Sequence, residues 1–222
     1  MSEKRRKASL EDALAALPIF PLPHVVLFPE AVLPLHVFEP RYRQMLADCL
    51  ATHGAMAVAQ IVPGEDDFGR PNIAPVAGGG IIVEHQRLPD GRSNIVLLGQ
   101  ARLKLDELDP DELPYRRAKA TILKDREVSV PEGDRTALVA AATMFASEVK
   151  KHDAYFSFKL PPNADVSLLA DLCTYQLIVD AGVRQAILGE LDPRHRVQMV
   201  LNQLALQHGA MLSGSVAPKM LN

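Results

Sequence analysis

Apolar residues follow two rhythms along this chain of 222 residues, and the rhythm changes near residue 130. Before that point they come in short runs or alternate with polar residues, broken by dense Pro and Gly. After it they recur every three or four positions, the spacing of one helix face. Strands first and helices second predict an α+β architecture, with a lead over residues 1–14, a β-rich module over 15–126, a helical bundle over 127–209 and a tail over 210–222.

Within the first part, Ser9 opens an S-x-x-D pattern that suits a short helix. Six prolines fall between Pro18 and Pro40. Each fixes φ and lacks an N–H, so the apolar runs 25–28 and 32–37 are expected as edge strands of a small barrel or folded sheet. Pro40 suits the first position of a helix, in which Tyr42, Met45, Leu46, Cys49 and Leu50 share a face and Gly54 ends the run. A strand is predicted over 56–62 and a turn-rich loop over 63–71. Gly78, Gly79 and Gly80 read as a flexible lead-in to a hairpin, whose arms 81–88 and 93–98 flank Pro89-Asp90-Gly91. Residues 101–105 alternate as a half-exposed strand, and 115–123 form the last one.

In the second part, Leu138, Ala141, Phe145 and Val149 mark a helix that begins near Asp134. Residues 165–181 are apolar over more than half the circumference, as in a helix buried between others. A short helix over 183–188 leads to Asp192 as a cap and Pro193 as the first residue of the next. Its stripe is Val197, Val200, Leu201 and Leu204, closed by His208-Gly209.

Hydrophobic residues at 48% and charged residues at 23% are ordinary for a globular chain and exclude wholesale disorder. With seven Phe, four Tyr and no Trp, the core must be aliphatic. A formal charge of −3 gives no whole-protein basic field for nucleic acid or anionic lipid. Cys49 and Cys173 stand far apart and fit neither a structural zinc site nor a disulfide framework, which favours a reducing cytoplasm. Lys4-Arg5-Arg6-Lys7 is followed by Glu11 and Asp12 rather than an apolar signal-peptide core. No run approaches the roughly 20 apolar residues of a membrane span. A soluble, cytoplasmic protein with no membrane partner is expected.

Catalytic motifs are weak. Gly64 and Gly69 have phosphate-loop spacing, but Arg70 and Pro71 stand where Lys and a hydroxyl are needed. Ser147-Glu148-Val149-Lys150 matches S-x-x-K without the companion motifs, and reads as a solvated helix face. Seven scattered histidines include no H-x-x-x-H pair, although His36 and His85 could meet in space. Glu65-Asp66-Asp67 reads as a solvated loop beside Phe68. No enzymatic activity, metal or cofactor is expected.

Specific motifs lie elsewhere. Residues 17–29, Leu-Pro-Ile-Phe-Pro-Leu-Pro-His-Val-Val-Leu-Phe-Pro, and 33–42, Leu-Pro-Leu-His-Val-Phe-Glu-Pro-Arg-Tyr, resemble the N-terminal substrate-binding domain of the Lon protease family. The resemblance continues at 88–92, at 94–102 and at Pro114-Tyr115-Arg116. In the helical half it reaches 185–192 and Arg196, so that it spans roughly residues 15–208. Glu30 stands where that family usually has Gly, and Leu103 where it usually has an aromatic. The resemblance implies a PUA-like β pseudo-barrel with an appended helical bundle. In full-length Lon this region captures unfolded or tagged substrates for a downstream ATPase and Ser-Lys peptidase. The sequence ends before either, so a stand-alone binding domain is expected.

Two functional readings follow. One is a module that binds unfolded or tagged polypeptide, with Phe38, Glu39, Arg41 and Gln44 as its contact rim and a protease in trans as a further partner. The other is an RNA-binding PUA-like module that uses Arg116, Arg117, Lys119 and the 4–7 cluster. The RNA reading suffers from the negative charge and scarce aromatics. A regulatory adaptor is the remaining alternative.

Overall fold

The computed structural model describes residues 9–213, in two units that divide between Leu123 and Lys124. The basic cluster at 4–7 and the tail beyond residue 213 lie outside the described residues.

In the first unit, extended segments are β1 (Leu17–Leu22), β2 (Val32–Val37), β3 (Ala55–Glu65), β4 (Pro71–Ile73), β5 (Val76–Arg87), β6 (Ser93–Glu107) and β7 (Arg117–Leu123), with helix α1 (Pro40–Ala51) between β2 and β3. The path β1-β7-β6-β5-β3 returns to β1, because β1 pairs in parallel with β3 (Ile19 opposite Ala57) and antiparallel with β7 (Leu17 opposite Ala118). This mixed sheet is therefore a closed barrel, with β2 added on β6 and β4 on β3. A parallel pair needs a crossover, and β2 with α1 supplies it. Inward positions carry small aliphatic residues, among them Ala57, Ala77, Leu103 and Ala118, all fully buried. The aliphatic core expected from composition is what fills this narrow interior.

The structure corrects several local expectations. Residues 25–28 form no strand, although Val26, Leu27 and Phe28 are buried. Their backbone crosses the barrel wall at Gly78 and Gly99, where a Cβ on either glycine would strike the carbonyl of Leu27 or of Phe28. A buried apolar run has the same pattern in a loop as in a strand. The glycine triplet is consequently a packed stretch of β5, paired with both β3 and β6, and not a flexible lead-in. The arms expected at 93–98 and 101–105 are one strand, β6, with a register shift beside Gly99 where a bulge absorbs a residue. Arg102, in the arm expected to be half-exposed, is buried. The expected loop over 63–71 is largely the β3–β4 hairpin. On α1, Tyr42, Met45, Leu46 and Cys49 face inward, but Leu50 is 43% exposed. The Ser9 motif makes only a single 3-10 turn, Glu11–Ala13, with the Ser9 hydroxyl accepting from Asp12 N at 3.3 Å. Glu30 takes the left-handed backbone, φ 58°. Its N–H bonds Gly99 O at 3.0 Å and Gly99 N–H bonds Ala31 O at 2.9 Å, which pins the turn despite its side chain.

The second unit contains α2 (Glu132–His152), α3 (Val166–Leu177), α4 (Ala181–Gly189) and α5 (Pro193–Leu212). Carboxylates set three of the starts: Asp165 accepts from Leu168 N at 2.8 Å, Asp180 from Val183 N at 2.8 Å and Asp192 from Arg194 N at 2.9 Å. The single helix expected over 165–181 therefore stops at Leu177, and Asp180 begins another. On α2 the buried position is Ala142 rather than Ala141, and on α5 Leu201 is only partly buried. The last helix runs through His208-Gly209 to Leu212, since one interior Gly costs only about 1 kcal/mol.

At the centre of this unit lies a side chain that periodicity does not announce. Arg196 is fully buried. Its guanidinium meets Asp125 at 2.5 Å and the Ser167 hydroxyl, with Nε 3.5 Å from Asp171. Ser167 also donates to Asp125. Among the described residues, no helix is long and apolar enough to cross a membrane.

Candidate functional site

Helix α1 organises the surface of the β unit. Pro40 occupies its first turn, and Glu39 precedes it in extended conformation. The Glu39 carboxylate does not cap the helix; it accepts from Arg41 Nε at 3.0 Å. Tyr42 turns inward, its ring 4.5 Å from that of Phe20, while the Arg41 guanidinium lies 4.6 Å above the same ring. Burial raises the Tyr42 pKa, and the nearby Arg41 charge opposes that shift only in part.

Phe38, Glu39, Arg41 and Gln44 all sit at the surface near the start of α1, but they do not converge on one hollow. Phe38 is 57% exposed and stacks on His36 at 6.0 Å. Arg41 lines a cleft on one side of the helix. Gln44 lines a groove on the other side and donates to Asp48 at 2.8 Å.

The cleft on the Arg41 side has a volume of about 340 Å³. Pro21 of β1, Tyr42 of α1, Ile61 of β3 and Pro71 of β4 line one part of it. The segment 108–117, with Leu108, Leu113 and Tyr115, supplies much of the rest. The Tyr115 hydroxyl donates to Asp48 at 2.7 Å, which ties that segment to α1. Burial first, and then this bond to a carboxylate, push the Tyr115 phenol far above its ordinary pKa, so it stays a neutral donor.

Every arginine of the cleft already holds a carboxylate. Arg41 pairs with Glu39 at 2.9 Å and Arg70 with Asp66 at 2.7 Å. Arg116 grips Glu107 through two bonds of 2.7 and 2.6 Å and gives a third, of 2.6 Å, to Pro71 O. Arg117 pairs with Asp111. The Asp66 carboxyl loses some hydration, which would raise its pKa, yet hydrogen bonds from Arg70 and Phe68 carry it below the usual range. Asp111 is likewise held low, first by the Leu113 N–H and then by Arg117. The cleft thus offers apolar walls with charges neutralised in place. Arg116 and Arg117, two members of the RNA footprint, are committed to these pairs; Lys119 is exposed on β7.

Other sequence motifs resolve into local structure. Asp66 is the organiser of its loop, accepting from the Phe68 and Arg70 N–H groups at 3.0 and 2.9 Å. Phe68 itself is exposed beneath the Arg70 guanidinium. Gly64 and Gly69 both take positive φ in this turn. His36 Nδ1 lies 2.7 Å from Asn94 Oδ1 with its Nε2 3.3 Å from Arg92 Nη1, and His85 Nε2 lies 3.1 Å from Ser93 Oγ, so both rings are engaged within the β unit. Ser147 donates to Thr143 O at 2.8 Å within α2, away from any base role for Lys150. Among the described residues, no three metal-ligating side chains cluster.

Sequence reasoning missed the 108–117 wall and its tie to α1. Leu108, Pro110, Leu113 and Pro114 between two strands were the available signal, since an apolar, proline-rich connection is unusual for a solvated loop.

A family model described as the ATP-dependent protease La (LON) substrate-binding domain matches residues 16–205. The chain is 30% identical over 215 residues to a Lon protease of Roseiflexus castenholzii, an alignment that covers 95% of this chain and 26% of that protein. Against a Lon protease of Dictyoglomus thermophilum the identity is 24% over 200 residues, with 89% and 25% covered. The chain thus spans about a quarter of the length of these curated relatives. A Lon N-terminal domain protein from Xanthomonas campestris superposes with a TM-score of 0.63 at 22% identity, covering 84% of this chain and 97% of the other. The N-terminal domain of Lon protease from the Mycobacterium avium complex gives 0.64 at 14%, with 86% and 98% covered. Those two structures share the α+β fold described above.

Proposed function

The chain belongs to the LON substrate-binding domain family, and on that premise we propose that it is a non-catalytic module that binds exposed apolar segments of unfolded or tagged polypeptide in the cleft beside Arg41. The observation that carries this reading is the combination of proline, tyrosine and leucine walls with arginines that already hold carboxylates. Apolar side chains gain by leaving water against such walls. A paired guanidinium still has unused N–H donors, and these suit the carbonyls of an extended peptide.

Of the four rim residues only Arg41 lines this cleft, with Glu39 paired to it; Phe38 and Gln44 lie outside it. A protease acting in trans fits as the downstream partner, and the two free, buried cysteines fit a reducing cytoplasm. Affinity in the micromolar range, roughly −8 kcal/mol, suits a site that must release its client.

The test is a titration with a labelled, permanently unfolded protein at low and high salt. Saturation that survives high salt is expected, because the cleft cations are already balanced. No saturation by about 100 μM, roughly 5.5 kcal/mol on the same scale, would overturn the reading in favour of an adaptor.

A further inference from the structure

The groove on the opposite side of α1 has a different electrostatic character. It measures about 640 Å³ and runs between α1 and the β5–β6 hairpin. Pro40, Arg43, Ala47 and Leu50 line it from the helix, and His85 and Arg87 from β5. Positions three, four and three residues apart keep these α1 side chains on one flank of the helix.

Arg43 is seated by the hairpin turn. Gly91, at φ 84°, has no Cβ, and the Arg43 guanidinium lies where one would project. Among the described residues, neither Arg43 nor Arg87 forms an ion pair. Of the acids nearest in sequence, Glu39 pairs with Arg41, and Glu84 lines a separate hollow with Pro34 and Leu35. Asp48 accepts from Gln44 and Tyr115, and Asp90 holds Arg92 at 2.6 Å. His85 uses one ring nitrogen on Ser93. The result is a concave surface with two uncompensated guanidinium groups and, at its far end, the exposed side of Leu50.

We propose that this groove is a second subsite, one that takes a carboxylate of the bound polypeptide between Arg43 and Arg87 with an apolar neighbour against Leu50. The proposal rests on the polypeptide reading above and adds a substrate preference to it. A guanidinium fork matches a carboxylate in two parallel hydrogen bonds, and here no internal acid competes for it. Asp or Glu side chains and the terminal carboxylate of a client share this chemistry.

Three short peptides with the same apolar residues separate the cases. One carries two interior Glu and an amidated end, one carries Gln at those positions and a free terminal carboxylate, and one carries Gln and an amidated end. Binding of each is measured by fluorescence anisotropy to the full chain and to the Arg43→Gln/Arg87→Gln double variant. At least one carboxylate peptide should bind the natural chain roughly tenfold more tightly than the neutral one, and which one identifies the source. That advantage should vanish in the double variant, with the neutral peptide unaffected, and should be largely kept in Arg43→Lys/Arg87→Lys. Equal binding of all three peptides by the natural chain, or an advantage that persists in the double variant, overturns the subsite and leaves the polypeptide reading standing. Binding of none overturns both. Equal thermal midpoints across the variants verify that folding is unchanged, and single variants replace the double one if its midpoint drops.

Discussion

The two units handle charge and backbone in opposite ways. In the β unit the arginines of the cleft each stand beside a carboxylate, and the barrel core is aliphatic, with glycine where backbone approaches backbone. The helical unit instead buries an arginine completely, at the junction of Asp125, Ser167 and Asp171. Close backbone approach at glycine marks the first, and a buried polar cluster the second, where Asp171, Thr174 and Arg184 are buried along with Arg196. Surface charge in the β unit can therefore be edited for binding with little effect on folding, whereas the same edit at Arg196 strikes the core.

The largest break in that contrast should come from Arg196→Met. Arg196 meets Asp125 at 2.5 Å and stands 3.5 Å from Asp171, and breaking a buried pair by removing one partner costs about 3–5 kcal/mol. Urea denaturation followed by helical circular dichroism should show the loss. A midpoint unchanged from the natural chain would mean that the network contributes nothing to specification.

Gly99→Ala tests the other half of the contrast. The new methyl would meet the Phe28 carbonyl, and overpacking of this kind costs typically about 1–3 kcal/mol, here at the upper end because backbone must move. The same substitution at Gly133, where a Cβ meets nothing, should be neutral or slightly stabilising and serves as the control in the same thermal melt.

Tyr115→Phe should cost about 1 kcal/mol at neutral pH, one net hydrogen bond. It should also flatten the alkaline limb. The native phenol has its pKa raised by burial and by Asp48, so its contribution is fully present below the ordinary tyrosine range near 10. It is lost as pH rises above that range toward the native pKa. Chemical denaturation at pH 7 and at pH above 10 should show the natural chain converging on the variant.

The smallest effect is expected at Glu30→Gly. Relief of the left-handed backbone is worth about 1 kcal/mol, offset in part by the greater freedom of glycine in the unfolded chain. A rise in midpoint of a degree or two is the expected reading, and a fall would show that the Glu30 side chain contributes a contact of its own.

Local signals in the sequence carried far. The α1 core face, the turn at Pro89-Asp90-Gly91 and the Asp192-Pro193 helix start are each set by residues within a few positions of one another, and each is seen as expected apart from Leu50 on α1. The family motifs gave the α+β barrel because they extend over most of the chain. What was not legible depends on partners distant in sequence. Leu27 is buried because of Gly78, the cleft exists because Tyr115 reaches Asp48, and Arg116 is neutralised by Glu107. None of these pairs leaves a periodic trace. The rim residues were legible as exposed, but not that α1 would divide Arg41 from Gln44 between two hollows.

The closed ring also dictates an order of events during synthesis. Strand β1 can join β3 once residue 60 has left the ribosome, yet its other edge waits for β7, with Leu17 opposite Ala118. Until that last strand emerges, the nascent sheet has exposed edges able to pair with another chain. Non-local closure of this kind is intrinsically slow. The vulnerable interval of this protein therefore falls on the ribosome, before residue 118 is free, and a pause in translation within β6 would lengthen it.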